Sequence, residues 1–172
     1  MGKVAVFVED NYQVLEVWYP YLRLRENGIE TLLLGTGRKK EYKSKEGYPA
    51  VEELSIKKAR VADFLGVVVP GGYAPDILRR YKEVNNFVRE MSKKNKLVAA
   101  ICHGGWVLVS AGILKDKRAT GVYAIKDDLV NAGGLFIDKE VVVDGNLITS
   151  RNPYDLPAFC REILRKLKKG ER

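Results

Sequence analysis

A chain of 172 residues with 46% hydrophobic content suits one domain that buries roughly 70% of its unfolded surface, which excludes a disordered chain and removes the need for a stapling disulfide or metal. Two cysteines, Cys102 and Cys160, are too few for a secreted disulfide scaffold, no apolar run approaches the ~20 residues of a membrane span, and the first ten residues turn acidic before a signal-peptide core forms, so a cytoplasmic protein is expected. The net charge of +8 gathers in Arg161, Arg165, Lys166, Lys168, Lys169 and Arg172, on or just past a final helix, without an aromatic-basic platform for stacked bases, so neither nucleic acid nor membrane is expected as a partner.

Residues 4–8 form an unbroken apolar run, the pattern of a buried strand. Val14, Val17, Trp18, Tyr21, Leu22 and Leu24 follow at helical spacing until Asn27-Gly28 stops them. Residues 29–34 read as a second strand, and the polar stretch 37–48 as a small hairpin or loop. A third buried strand covers 65–69 and runs into Pro70-Gly71-Gly72. A helical stretch spans about 75–94 with a break near Tyr81. Residues 97–101 are strand, and 103–111 are helix with Gly112 as the stop. A short helix is expected over 125–132. Residues 140–143 and 147–150 flank Asp144-Gly145-Asn146, a hairpin signal. The closing helix covers 157–168. Apolar strands alternating with helices predict a doubly wound α/β fold, with a mostly parallel sheet covered on both faces and no linker dividing the chain.

Ligands on such sheets bind beyond the carboxyl ends of the strands, so those ends hold the candidate residues. The first strand runs into Glu9-Asp10-Asn11, with Glu16 on the helix that follows. The strand at 97–101 runs into Cys102-His103-Gly104-Gly105. A strand that passes at once into a helix makes a sharp elbow, which would stand the Cys102 side chain at the positive end of the helix and favour thiolate. His103, the single histidine, is a candidate general base beside it. Gly71-Gly72 offers backbone N–H groups for an oxyanion, or is an ordinary tight turn. Glu16 stands among apolar positions and is expected to point inward. Cys160 reads as a packed thiol without chemistry. No metal site is expected from one histidine and two distant cysteines, and the glycines match neither a phosphate loop nor a dinucleotide fingerprint.

Ala100-Ile101-Cys102-His103-Gly104, Val69-Pro70-Gly71-Gly72 and Glu16 with Pro20 together resemble the PfpI/ThiJ family, which contains archaeal intracellular proteases and the Parkinson-disease-associated deglycase. Ile125-Lys126-Asp127-Asp128 with Asn131-Ala132-Gly133, and Val141-Val142-Val143-Asp144-Gly145-Asn146 with Ser150-Arg151, look like its PfpI branch. The resemblance implies a flavodoxin-like three-layer sandwich, one domain over 1–172 akin to class I glutamine amidotransferases, and no cofactor. It implies Cys102 as nucleophile, Glu16 hydrogen-bonded to its sulfur, and the backbone N–H groups of Gly72 and His103 as the oxyanion hole. In the protease branch an acid from a neighbouring subunit completes the histidine; Asp76 matches that acid, one methylene shorter. Gln13 and Val122-Tyr123-Ala124 depart from the pattern of relatives near the pocket.

The resemblance leaves three chemistries. The first is a cysteine peptidase in which Cys102 attacks a peptide carbonyl, assembled as a dimer or hexamer so that Asp76 of one subunit meets His103 of another. The second is a cofactor-independent glyoxalase or deglycase acting on methylglyoxal or its adducts, with Glu16 carrying the proton. The third is a stress chaperone or oxidation sensor in which Cys102 becomes a sulfinic acid. The complete set of Cys102, His103 and an acid favours the first.

Overall fold

In the computed structural model, which describes residues 2–169, the first strand β1 (Lys3–Val8) leads through a loop into α1 (Val14–Glu26) and β2 (Thr31–Gly35). A short hairpin follows, β3 (Glu41–Lys43) with β4 (Pro49–Val51), then β5 (Leu54–Ser55) and β6 (Phe64–Val69). Next come α2 (Ala74–Leu78), α3 (Lys82–Lys93), β7 (Leu97–Ile101) and α4 (Gly105–Ala111). β8 (Arg118–Ala119), α5 (Lys126–Asn131) and β9 (Leu135–Phe136) precede the closing hairpin of β10 (Val141–Asp144) and β11 (Leu147–Ser150), and α6 (Leu156–Lys169) ends the described chain.

Seven strands form one sheet in the order β10-β11-β7-β6-β1-β2-β5. Every neighbouring pair is parallel except β10 with β11, whose antiparallel turn puts Gly145 at φ 62°. The central strands are apolar because both faces are covered. Val4 to Val8 and Leu97 to Ile101 are essentially without exposure. One helix layer is α1 against α6; the other is α3 against α4, which also meets α2 and α5. The expected α/β sandwich is the fold observed.

Several boundaries differ from the sequence reading for local reasons. The helix expected from His103 opens instead as a 3-10 turn, Cys102–Gly104, before α4 begins. The stretch expected to break near Tyr81 does so over Arg79–Tyr81, between α2 and α3. The hairpin or loop expected over 37–48 is a hairpin whose first strand is β3, with its partner β4 lying just beyond that stretch. Of the cations at the closing helix, Arg161, Arg165 and Lys168 are exposed, while Arg172 lies outside the described residues. No helix among the described residues is long and apolar enough to cross a membrane.

Candidate active site

The sheet's carboxyl edge gathers the ends of β1, β6 and β7 side by side. At the end of β7 the backbone turns through Cys102 at φ 58°, a left-handed conformation that costs an L-residue on the order of 1 kcal/mol. The elbow is tight enough to need glycine after it. A Cβ on Gly104 would lie 2.5 Å from the carbonyl oxygen of Val69. The turn after β6 is as crowded. A Cβ on Gly71 would lie 2.5 Å from Glu16 Oε2, 2.7 Å from Cys102 Cβ and 3.0 Å from Cys102 Sγ. Gly72, at φ 75°, brings its backbone against the Asn11 carbonyl.

Glu16 points inward from the first turn of α1 and is fully buried. The Gln13 side chain caps that helix by accepting the Glu16 N–H at 2.9 Å. Gly71 donates its N–H to Glu16 Oε2 at 2.7 Å, while Oε1 has no hydrogen-bond partner among the described residues. Burial raises the Glu16 carboxyl to about 7, against the lowering pull of the Gly71 N–H, hydrogen bonding with Cys102 and the charge of Lys45.

Cys102 is partly buried. Burial, reinforced by the negative charge of Glu16, pushes its thiol up to about 12, while the N–H groups of His103 and Gly72 act the other way. The expectation of an acidic thiol therefore fails for the state in which Glu16 is ionised. The larger cause is burial, which disfavours the charged thiolate; the second is that two acids share the buried space, so only one proton can leave easily. With the proton on Glu16 the repulsion vanishes, and the two N–H groups remain to hold a thiolate. Cys160, fully buried in α6, is also pushed up to about 12, by burial alone against a weak pull from Arg23.

His103 lies with Nδ1 3.4 Å from Cys102 Sγ, and its ring packs edge-on against Trp106. Burial and then the charge of Lys45 lower its pKa. The structure thus brings together Cys102, His103, Glu16 and Gly72. It does not join Asp76 to them within the chain. Asp76 stands in the first turn of α2 and binds Arg80 of the same segment. Nor does its side chain cap α2, since the cap position is Tyr73.

Lys45 escaped the sequence reading because it sits in a polar loop with no local pattern. It is brought to the site by Tyr12, whose backbone bridges both Ser44 and Gly72. Three further bonds tie the same loops: Asn11 N–H to Lys43 O, Lys45 N–H to Tyr12 O and Tyr73 N–H to Asn11 O. Trp106 was equally invisible, one apolar residue in a helical run.

Residues 2–166 match the DJ-1/PfpI family. Deglycase PfpI of Pyrococcus furiosus is 39% identical over 166 residues, covering 96% of this chain and 99% of that protein. YraA of Bacillus subtilis, whose name provisionally makes it a cysteine protease, is 38% identical over 166 residues, covering 96% and 98%. Among solved structures, a two-domain protein of Anabaena variabilis with DJ-1/ThiJ/PfpI-like and ferritin-like domains superposes with a TM-score of 0.95 at 41% identity, over 98% of this chain and 48% of that one. Drosophila melanogaster DJ-1beta superposes with a TM-score of 0.90 at 30% identity, over 97% and 91%.

Proposed function

Because the chain belongs to the DJ-1/PfpI family, we propose that it is a cysteine-dependent enzyme of carbonyl chemistry that clears 2-oxoaldehydes or their adducts, as the name deglycase implies for its relatives. The observation that carries this reading is Glu16: a buried carboxyl with one oxygen held by Gly71, the other without a partner, beside the Cys102 thiol. Such a pair keeps a single proton in motion between sulfur, carboxyl and substrate.

For methylglyoxal the steps balance without an outside oxidant. Sγ bonds to the aldehyde carbon, the carbonyl electron pair moves to oxygen, and Glu16 protonates that oxygen. The N–H groups of Gly72 and His103, already directed at the sulfur, stand beside the new oxyanion. The Glu16 carboxylate then removes the hydrogen of the former aldehyde carbon as a proton, giving an enediol, and returns it to the neighbouring carbon while the hydroxyl proton of the first carbon passes to the neighbouring carbonyl oxygen. This oxidises the first carbon to a thioester and reduces the second to an alcohol. Water cleaves the thioester, releasing a 2-hydroxy acid and restoring the thiol.

The peptidase reading retains one supporting observation, the contact of 3.4 Å between His103 Nδ1 and Sγ. It needs in addition an acid to orient the imidazole, and in this reading Asp76 of a second copy leaves Arg80 to supply it in a homo-oligomer. Methylglyoxal turnover measured against casein hydrolysis on one purified sample, with Cys102→Ala as the blank, separates the two. Casein hydrolysis without methylglyoxal turnover would overturn the proposal.

A further inference from the structure

Among the described residues His103 has no carboxylate partner, yet its ring is not loose. Its centroid lies 4.9 Å from that of Trp106, with the planes inclined at 60°. The indole is itself fixed from two sides. Its Nε1–H donates to Asp128 Oδ2 of α5 at 3.2 Å. The Arg79 guanidinium lies over it at 5.8 Å, and Arg79 Nε is held by Ser110 Oγ at 2.9 Å. A line of contacts therefore runs from Sγ through the imidazole and the indole to α5 and to the segment after α2. An imidazole on a flexible side chain is a useful partner only when something restricts its rotamer. An aromatic edge contact does this by shape and quadrupole and adds no charge.

We propose that Trp106 is the positioning residue for His103, holding the imidazole against Cys102 Sγ where a carboxylate would otherwise be required. This rests on the reading of Cys102 as nucleophile with His103 as its neighbour. The substitution of an indole for an acid has a chemical consequence. A carboxylate would favour imidazolium, whereas the indole leaves ionisation to the other groups facing the ring. Cys102 touches the ring and Lys45, from the loop after β3, acts on it through its charge, while Arg79 and Asp128 lie against the indole; burial and Lys45 both disfavour the cation. His103 is accordingly held as a neutral imidazole, able to donate one hydrogen bond and accept another.

The chain has one histidine, so its ring resonances can be followed by NMR across pH without assignment ambiguity. In the parent protein His103 should titrate below the ordinary value of about 6.5. Trp106→Leu should move that titration up toward 6.5 and slow iodoacetamide alkylation of Cys102 at neutral pH by roughly three- to tenfold. Trp106→Phe, which keeps an aromatic edge, should restore both. Asp128→Ala, which frees only the indole N–H, should give an intermediate shift and guards against a Trp106→Leu chain that fails to fold. His103→Gln should slow alkylation as much as Trp106→Leu, and the double variant should be no slower than either. An unchanged His103 titration in Trp106→Leu, or a double variant whose losses simply multiply, overturns the proposal. If His103→Gln leaves alkylation and turnover intact while the titration still shifts in Trp106→Leu, the hold on the imidazole stands and the use of His103 in the reaction falls.

Discussion

Adding one methyl group at Gly71 tests the site more directly than removing any of its functional groups. Gly71 is not at a positive φ, so its backbone accepts alanine, and the whole effect is steric. The new Cβ would fall 2.5 Å from Glu16 Oε2 and 2.7 Å from Cys102 Cβ. Unstrained carbon contacts sit at about 3.5–4.0 Å, so the pair must part by roughly 1 Å. A displacement of that size at reacting atoms costs on the order of 100-fold in turnover. Overpacking one methyl in a buried turn costs about 1–3 kcal/mol of stability, which leaves a domain of this size folded. Gly71→Ala should therefore unfold only a few degrees earlier while kcat/KM for methylglyoxal and the alkylation rate of Cys102 fall together. A folded Gly71→Ala protein within about threefold of the parent in both would refute the idea that the Glu16–Cys102 spacing carries the chemistry.

Glu16→Gln should change how stability depends on pH. The folded carboxyl is raised from 4.5 to about 7, so the folded state holds that proton more tightly. Its contribution is present below the unfolded value and is lost as pH climbs to the folded one, up to roughly 3 kcal/mol. Urea unfolding at pH 5 and pH 8 should show the parent losing stability relative to Glu16→Gln; parallel profiles would contradict the buried carboxyl. Iodoacetamide at about pH 6.5, below the Glu16 value of about 7, should label Cys102 in the folded protein and leave Cys160, fully buried in α6, for the unfolded one; equal labelling would argue against a distinct site. Cys102→Ala should abolish turnover with the unfolding temperature preserved, while Cys160→Ser keeps its activity. For the peptidase reading, mixing Cys102→Ala chains with Asp76→Ala chains should recover part of the casein activity, and a fully active monomer by sedimentation would remove any role for a neighbour's Asp76.

Strands such as β1, β6 and β7 were readable because burial on both faces demands unbroken apolar runs, and the elbow because a strand ending in Cys102-His103-Gly104-Gly105 leaves no room for a loop. Glu16 was readable as an inward acid from the apolar positions around it. β5, β8 and β9 escaped notice because two residues carry no period. The net direction of the Cys102 shift is not legible in the sequence for a different reason. A helix end lowers a thiol's pKa in isolation, but burial, and after it the charge of the Glu16 carboxyl, raises it. Pair effects of this kind depend on distances set by Gly71, which no local pattern announces. Lys45 and Trp106 follow the same rule: each matters through a neighbour distant in sequence or on another turn of helix.

The double bridge made by Tyr12 ties the loop after β1 both to the loop after β3 and to the turn after β6. Because its backbone joins Ser44 on one side and Gly72 on the other, the backbone around the turn that carries Gly72 is held from both sides. Binding then freezes little additional backbone, and the entropy that a closing lid would consume is absent from the association free energy. Warming should loosen these stitched loops well before the parallel sheet beneath them melts.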